Sequence, residues 1–321
     1  MIAATFIPFF LAAQLPTEYK QYEVHGPEYI FAVNINLTRI PQCPYDVLMC
    51  GEPSGIHATH HLHCISKEKN TLTCRLRYVD GATFGTANEK EDLQDAMDTR
   101  AKITDAPFDL IFNEDGIESI VMSKMTRPYD INLLKVIIEL LHVGDDFDDI
   151  EDGTFDSTAT STIGRCNVTF HVFHRSTTEN AKTELPYRFR LKAIPPKLHL
   201  TPNENLVIYK VTHLNHCDYY AEHYFRKYGD TVVSEYVEAE LENMVSQMEL
   251  SETSFSSSTL RKGISITSNK IYNIIENTKI TLKDVQSASS ELPAIVKPAK
   301  TGLIANDDII SLSSTNYINI D

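Results

Sequence analysis

His57, His61 and His63 occupy odd positions of one short run, while His60 and Cys64 occupy even ones. Side chains alternate along an extended strand, so the three odd histidines share a face. Imidazoles grouped in this way suit zinc or copper, which makes the face a candidate metal site with zinc as its ion. No carboxylate lies nearby in sequence to orient the rings, so the plainer reading, a polar strand facing solvent, is the default. A second row carries positive charge: Arg188, Arg190 and Lys192 alternate with Tyr187, Phe189 and Leu191. On an acidic protein this row is a candidate contact for an acidic receptor module; the alternative is the ordinary outer face of an amphipathic strand. The acidic run from Asp145 to Asp152 lacks the spacing of an EF-hand loop and reads as solvated. Neither GxSxG, HExxH, GxGxxG nor a P-loop occurs, and nothing pairs a nucleophile with a base, so no enzyme is expected.

The six cysteines, Cys43, Cys50, Cys64, Cys74, Cys166 and Cys217, form no CxxC and match no zinc-finger spacing. An even count of this kind suits disulfides in an oxidising compartment. The N-terminus agrees with that compartment. Met1 is followed by an apolar run from Ile2 to Ala13 and then by Gln14 and Pro16. The run is shorter than the roughly 20 residues of a membrane span. It fits the apolar segment of a signal peptide over residues 1–14, although the usual leading Lys or Arg is absent. No later segment is apolar enough to cross a bilayer, so a secreted, extracellular chain is expected. Two glycosylation sequons, at Asn36 and Asn167, fall on the polar side of alternating stretches, where a glycan would sit in water. The net charge of −15 disfavours nucleic acid and anionic headgroups as main partners.

These residues need strands to hold them. Tyr29, Phe31, Val33, Ile35 and Leu37 alternate with polar or small residues, a half-buried strand from Glu28 to Leu37. His57–Ile65 and Thr71–Tyr78 read as a hairpin over Ser66–Asn70, and Phe108–Phe112 with Ile117–Lys124 as a second. The period then changes. Asp130 can cap a helix whose apolar residues, from Leu133 to Leu141, cover more than one face, and Gly144 can end it. Lys135, Glu139 and His142 leave only a narrow polar strip, so burial of this helix is expected. Strands resume at Val168–His174, Tyr187–Ile194, Leu206–Thr212, Tyr219–Phe225, Leu260–Thr267 and Lys270–Leu282, with 231–250 open to strand or helix. One helix among about ten strands predicts a mainly β fold (α+β), an antiparallel β-barrel wrapped around a buried helix. The barrel domain is expected over 15–285, with a weakly ordered tail or incomplete domain edge over 286–321.

The order of several segments resembles the N-terminal region of vitellogenins and related large lipid transfer proteins. Phe112-Asn113-Glu114-Asp115-Gly116-Ile117-Glu118 is similar to that family's FNxxGIE hairpin, and Asp130-Ile131-Asn132-Leu133-Leu134-Lys135 to the start of its apolar helix. Cys166 to Val172 resembles its CETLYDI strand, and Tyr209 to Cys217 the strand that follows. His63 to Leu76 is similar to its early hairpin and Ser254 to Ile266 to a later strand. The spacing from Cys166 to Cys217 departs from the family by an insertion around 172–194.

The resemblance implies a vitellogenin N-sheet-like fold and a non-catalytic, secreted glycoprotein of lipid transport or yolk storage. Its implied partners are lipid and a lipoprotein-receptor-family endocytic receptor. It also implies a Cys166–Cys217 disulfide. For the remaining four cysteines the expected pairs are Cys64–Cys74, set opposite each other by a turn near Lys69, and Cys43–Cys50, closing a loop. A second function class fits the same residues: a lipid-free recognition or receptor-binding module built on this barrel. The family's helical superhelix and lipid-facing sheets have no counterpart in these 321 residues, where no helical repeat is visible.

Overall fold

Strict alternation of apolar and polar residues builds most of this molecule. In the strand Pro27–Pro41, Tyr29, Phe31, Val33 and Ile35 are buried while Asn36 is exposed. The computed structural model describes residues 5–7, 11–14, 27–42, 51–68, 70–86, 105–147, 150–176, 190–193, 200, 203–220, 238–266, 271–305 and 310–311. In chain order the strands are β1 (Thr5–Ile7), β2 (Leu11–Gln14), β3 (Pro27–Pro41), β4 (Ser54–Glu68), β5 (Thr71–Phe84), β6 (Phe108–Asn113) and β7 (Gly116–Ser123). The helix α1 (Pro128–Ile138) follows and tightens into a 3-10 turn at Glu139–Leu141. Then come β8 (Gly153–Ser161), β9 (Gly164–Ser176), β10 (Arg190–Ala193), β11 (Glu204–Tyr220), β12 (Glu238–Leu250), β13 (Phe255–Ile266), β14 (Ile271–Ser287), β15 (Pro298–Thr301) and β16 (Ile310–Ser311).

Thirteen strands form one antiparallel sheet in the order β16-β15-β7-β6-β5-β4-β3-β14-β13-β12-β11-β9-β8. Eleven of them form two meanders, β3–β7 and β8–β14 without β10, joined where β3 pairs with β14, and β15 and β16 extend the first beyond β7. The sheet is mainly β with one helix, as expected, but it is not closed into a barrel. Among the described residues β8 ends one side and β16 the other. The expected closure is replaced by a seam, across which His142 at the helix end bonds β7 on one side and β8 on the other. A separate three-stranded sheet, β1-β2-β10, pairs Arg190 with Gln14 and Lys192 with Ala12.

Several elements differ from their sequence outlines. The helix begins one turn early: Pro128 presets the first-turn backbone and Arg127, not Asp130, is the cap residue. Asp130 lies inside the first turn, where it meets the positive end of the helix dipole and accepts bonds from Arg127 at 2.8 and 2.9 Å. The helix ends in the 3-10 turn, with His142 as its cap residue, two positions before Gly144. Residues 238–250 resolve as strand, and the two pieces at 206–212 and 219–225 merge into the single β11 as far as Tyr220. β8 was not legible, since Thr154, Ser157, Thr158 and Thr160 dilute its pattern. Within the acidic run Phe147 turns inward, buried against Phe155 and Phe170 with ring centroids 5.8 and 5.4 Å away. Beyond Ser287 the stretch 298–301 forms β15 on β7, and Ala299, Thr301 and Leu303 are buried. The stretch 87–104 and the loop 43–50 lie outside the described residues.

The main core joins both meanders to the helix. Phe31, Leu62, Leu110, Ile137, Ile138, Leu141, Phe170, Leu206 and Ile280 belong to one contiguous cluster and are essentially inaccessible. Strands from both sides of the sheet thus face one helix, and the sheet curls around it without closing.

Candidate functional site

The polar strip of the helix is the chemically richest place in the molecule, and it is buried. Lys135, Glu139 and His142 recur at one-turn spacing and lie on one face. Their exposures are 0%, 3% and 5%. A buried charge is tolerated only when partnered, and each of these is. Lys135 Nζ donates to Thr301 Oγ1 at 3.1 Å and to the Ile304 carbonyl at 2.7 Å. Glu139 accepts from the Thr162 hydroxyl at 2.7 Å and backbone N–H at 3.3 Å, and from the Arg261 guanidinium. Arg261, on β13, also donates to Glu276, its directly opposite neighbour on β14, at 2.8 Å. Lys210, on β11, donates to the Val143 carbonyl at 3.1 Å. Burial lowers the affinity of Lys210 for its proton; the Glu139 charge opposes that and the Arg261 charge adds to it. Two carboxylates, the Arg261 guanidinium and the Lys210 amine therefore share one dry region.

His142 spans the seam. The Ile117 backbone N–H on β7 donates to His142 Nδ1 at 2.9 Å, and His142 Nε2 bonds the Thr160 carbonyl on β8 at the same 2.9 Å. β15 covers β7 only from Ile120 to Ser123, so the backbone at Ile117 is left for the imidazole. A carbonyl only accepts, so Nε2 carries the hydrogen and Nδ1 the lone pair. Two glycines make room for the ring. A Cβ on Gly116 would lie 2.3 Å from Nδ1, and one on Gly144 2.9 Å from the Ala159 Cβ; both glycines have positive φ. Burial, reinforced by the Lys210 charge, pushes the imidazole down to about 3, with the bond to Thr160 opposing. Two further bonds cross nearby: Gly144 N–H to the Asp115 carbonyl at 3.0 Å, and Ala305 N–H to the Thr162 carbonyl at 2.8 Å.

The outer histidine face is built differently. His57, His61 and His63 do share one side of β4, yet they do not converge. His57 Nδ1 bonds Asn36 Oδ1 at 2.6 Å, and His63 Nδ1 bonds Glu28 Oε1 at 3.0 Å, while the rings of His61 and His63 stand 6.3 Å apart. Among the described residues no three His, Cys, Asp or Glu side chains are grouped to hold a metal ion. The physical reason is spacing: alternate strand positions are nearly 7 Å apart, and two of the rings already have partners on β3. Glu28 supplies the carboxylate that the local sequence lacked. Burial pushes its carboxyl up, but bonds from Gln286 and His63 and the charges of His63 and Arg75 together hold it below the usual carboxylate range. His60 faces the other way, buried edge-on against Tyr78.

Cys64 and Cys74 are directly opposed on β4 and β5 and form a disulfide, as do Cys166 and Cys217 on β9 and β11. Cys43 and Cys50 lie outside the described residues, as does Arg188. Arg190 and Lys192 are on β10, whose Leu191 is buried; the side chains of the two cations are not described. Asn36 and Asn167 are exposed. His57 and Thr158 bond the Oδ1 atoms of Asn36 and Asn167, leaving aside Nδ2, the atom that carries an N-glycan. Arg261, Glu276, Thr162 and Lys210 were not singled out as site residues from sequence; the helix strip Lys135-Glu139-His142 was the signal that something polar had to meet it.

No family profile matches this chain, and no curated protein matches it. A solved structure, reported for lipid–protein interactions in lipovitellin, matches 88% of this chain with a TM-score of 0.51 at 13% identity. The match covers 28% of that lipovitellin chain. At that identity the likeness establishes a fold: a curled, largely antiparallel sheet around one helix, of lipovitellin type. The two disulfides and this fold fit a secreted protein. Among the described residues no helix is long and apolar enough to cross a membrane.

Proposed function

We propose that this chain is a secreted, non-catalytic, vitellogenin-like protein that binds lipid, in the lipid-transport and nutrient-storage class. One observation carries the reading: the described fold follows lipovitellin over 88% of the chain. The segment resemblances, running in family order from the early hairpin to β13, support it from the sequence alone. Secretion would remove residues 1–14 and with them β1 and β2; β10 would keep the bond from Leu191 N–H to the Glu252 carbonyl at 2.6 Å and the burial of Leu191. Glycans at Asn36 and Asn167 belong to the same proposal.

Lipid extraction from the secreted, purified chain tests it. Stoichiometric phospholipid or neutral lipid is the expected result. A lipid-free monomer that takes up none from vesicles sinks the carrier reading and leaves the recognition module. That second class is tested by binding to a lipoprotein-receptor-family ectodomain, with Arg188, Arg190 and Lys192 changed together to glutamate. Loss of binding in that variant would place the receptor contact on the basic row Arg188, Arg190 and Lys192.

A further inference from the structure

We propose that His142 is a proton-operated latch: when it takes up a proton, its bonds to β7 and β8 fail and the seam opens, exposing the apolar interior around the helix. The inference does not depend on the lipid reading, and no lipid enters its test.

The geometry permits only one protonation state in the closed form. Nδ1 accepts from the Ile117 N–H, so a proton added there would face another donor. The ring has little room to turn within the closed cradle, because Gly116 and Gly144 bring backbone against it. Charged groups around it offer no compensation. On β11 Lys210, whose hold on its proton burial weakens, donates to the Val143 carbonyl and brings no negative charge. The helix contributes Glu139, which is already held by Thr162 and by Arg261 of β13; Glu276 of β14 holds the other arm of Arg261. From the β6–β7 turn Asp115 offers its backbone carbonyl to Gly144. On β8 the contact is the Thr160 carbonyl, and the nearest acid in sequence, Asp156, is bonded to Thr169 on the exposed side. An imidazolium at this position therefore finds relief only by reaching water.

Opening there need not unfold the sheet. The ladders from β7 round to β8 are intact without His142; among the described residues the seam is bridged by this ring, the Gly144–Asp115 and Ala305–Thr162 bonds and, through the helix, by Lys135 to Thr301 and Glu139 to Thr162. A ring that titrates near 6.5 when open and near 3 when closed raises the open-to-closed ratio about 30-fold between pH 7.5 and 5.

Hydrogen exchange of the full chain, corrected for intrinsic rates and followed from pH 7.5 to 5, reads this directly. Protection should fall about 30-fold at Ile117, Gly144 and Ala305, whose N–H groups bond across the seam, while amides paired within β8–β9 and over 255–266 and 271–287 stay unchanged; bis-ANS binding should rise in parallel. His142→Gln, whose amide can accept from Ile117 and donate to Thr160, should show no such pH dependence. Equal loss of protection at the seam and at β13–β14 would overturn the latch, as would an unaltered pH profile in H142Q. Should that variant fail to fold, ring 15N NMR of the native chain decides: a doubly protonated His142 in the closed protein at pH 6 would refute the proposal.

Discussion

The histidines of the seam and those of the outer face are the same side chain under two sets of rules. His142 is 5% exposed and bonded at both nitrogens by backbone groups from different strands. His57 and His63 bond only side chains, Asn36 and Thr59 for the first and Glu28 for the second, and keep access to solvent. Backbone partners are fixed by the fold, so they dictate the tautomer and penalise charge. Side-chain partners can turn about their own bonds, so they fix the ring less firmly. Position, not residue type, decides whether an imidazole is structural or interchangeable.

The comparison can be broken in several places. The largest effect should come from charge placed against the helix interior. Ile137 is fully buried, and Ile137→Asp should abolish secretion, since an unpaired carboxylate there costs a large part of a stability of roughly 5–15 kcal/mol. Normal secretion with an unchanged melting temperature would mean that the helix is not enclosed. Truncation of Leu140 to alanine should cost about 2–5 kcal/mol in urea unfolding.

Acid comes next. The His142 imidazole is held near 3 when folded and titrates at 6.5 when unfolded, so the unfolded chain binds the extra proton between those values. Stability is therefore fully present above pH 6.5 and declines as pH falls toward 3, by about 5 kcal/mol in all. Urea midpoints across this range should show that slope in the native chain and a shallower one in H142Q; identical slopes would remove His142 from the account.

Arg261→Met leaves Glu139 and Glu276 facing each other in a dry site and should cost about 3–5 kcal/mol. Replacing all three by apolar residues should recover most of that, and failure to recover would show that the network does more than neutralise itself.

The smallest effect belongs to the outer face. His63→Gln should change stability by less than about 1 kcal/mol, because the Glu28 pair is partly solvated. The depressed Glu28 carboxyl contributes stability above its ordinary range, lost as pH falls below it. A cost at His63 equal to that at Arg261 would erase the distinction between the two regions.

Much of the sheet could be read from alternation. β4 and β5 follow it closely and β3 over Tyr29–Asn36 in outline, β6 and β7 are short strands buried on both sides, and the helix announced itself by apolar residues around most of its circumference. The polar network could not be read that way. On β13 the inner face opens on Phe255 but continues through Ser257, Thr259, Arg261, Gly263 and Ser265, all buried, while Leu260 is only partly buried on the other side. On β14 Glu276 and Thr278 point inward beside Ile274 and Ile280. Periodicity assigns apolar residues to the interior, so a strand whose inner face answers a polar helix strip inverts the rule locally. The open sheet was hidden for a related reason: strand count suggests closure, but whether two edges pair depends on what stands between them.

The junction of the two meanders has a consequence for synthesis. β3, whose Tyr29, Phe31 and Val33 are among the most deeply buried residues, pairs on one side with β4 soon after it is made. Its other partner is β14, the last of the long strands to be translated. At about 5–20 residues per second, the unpaired edge of β3 waits roughly 10 to 50 s on the ribosome. An apolar strand with one open edge invites pairing with a neighbouring nascent chain. Expression of this protein should therefore depend on holdase chaperones during elongation more than on its final stability.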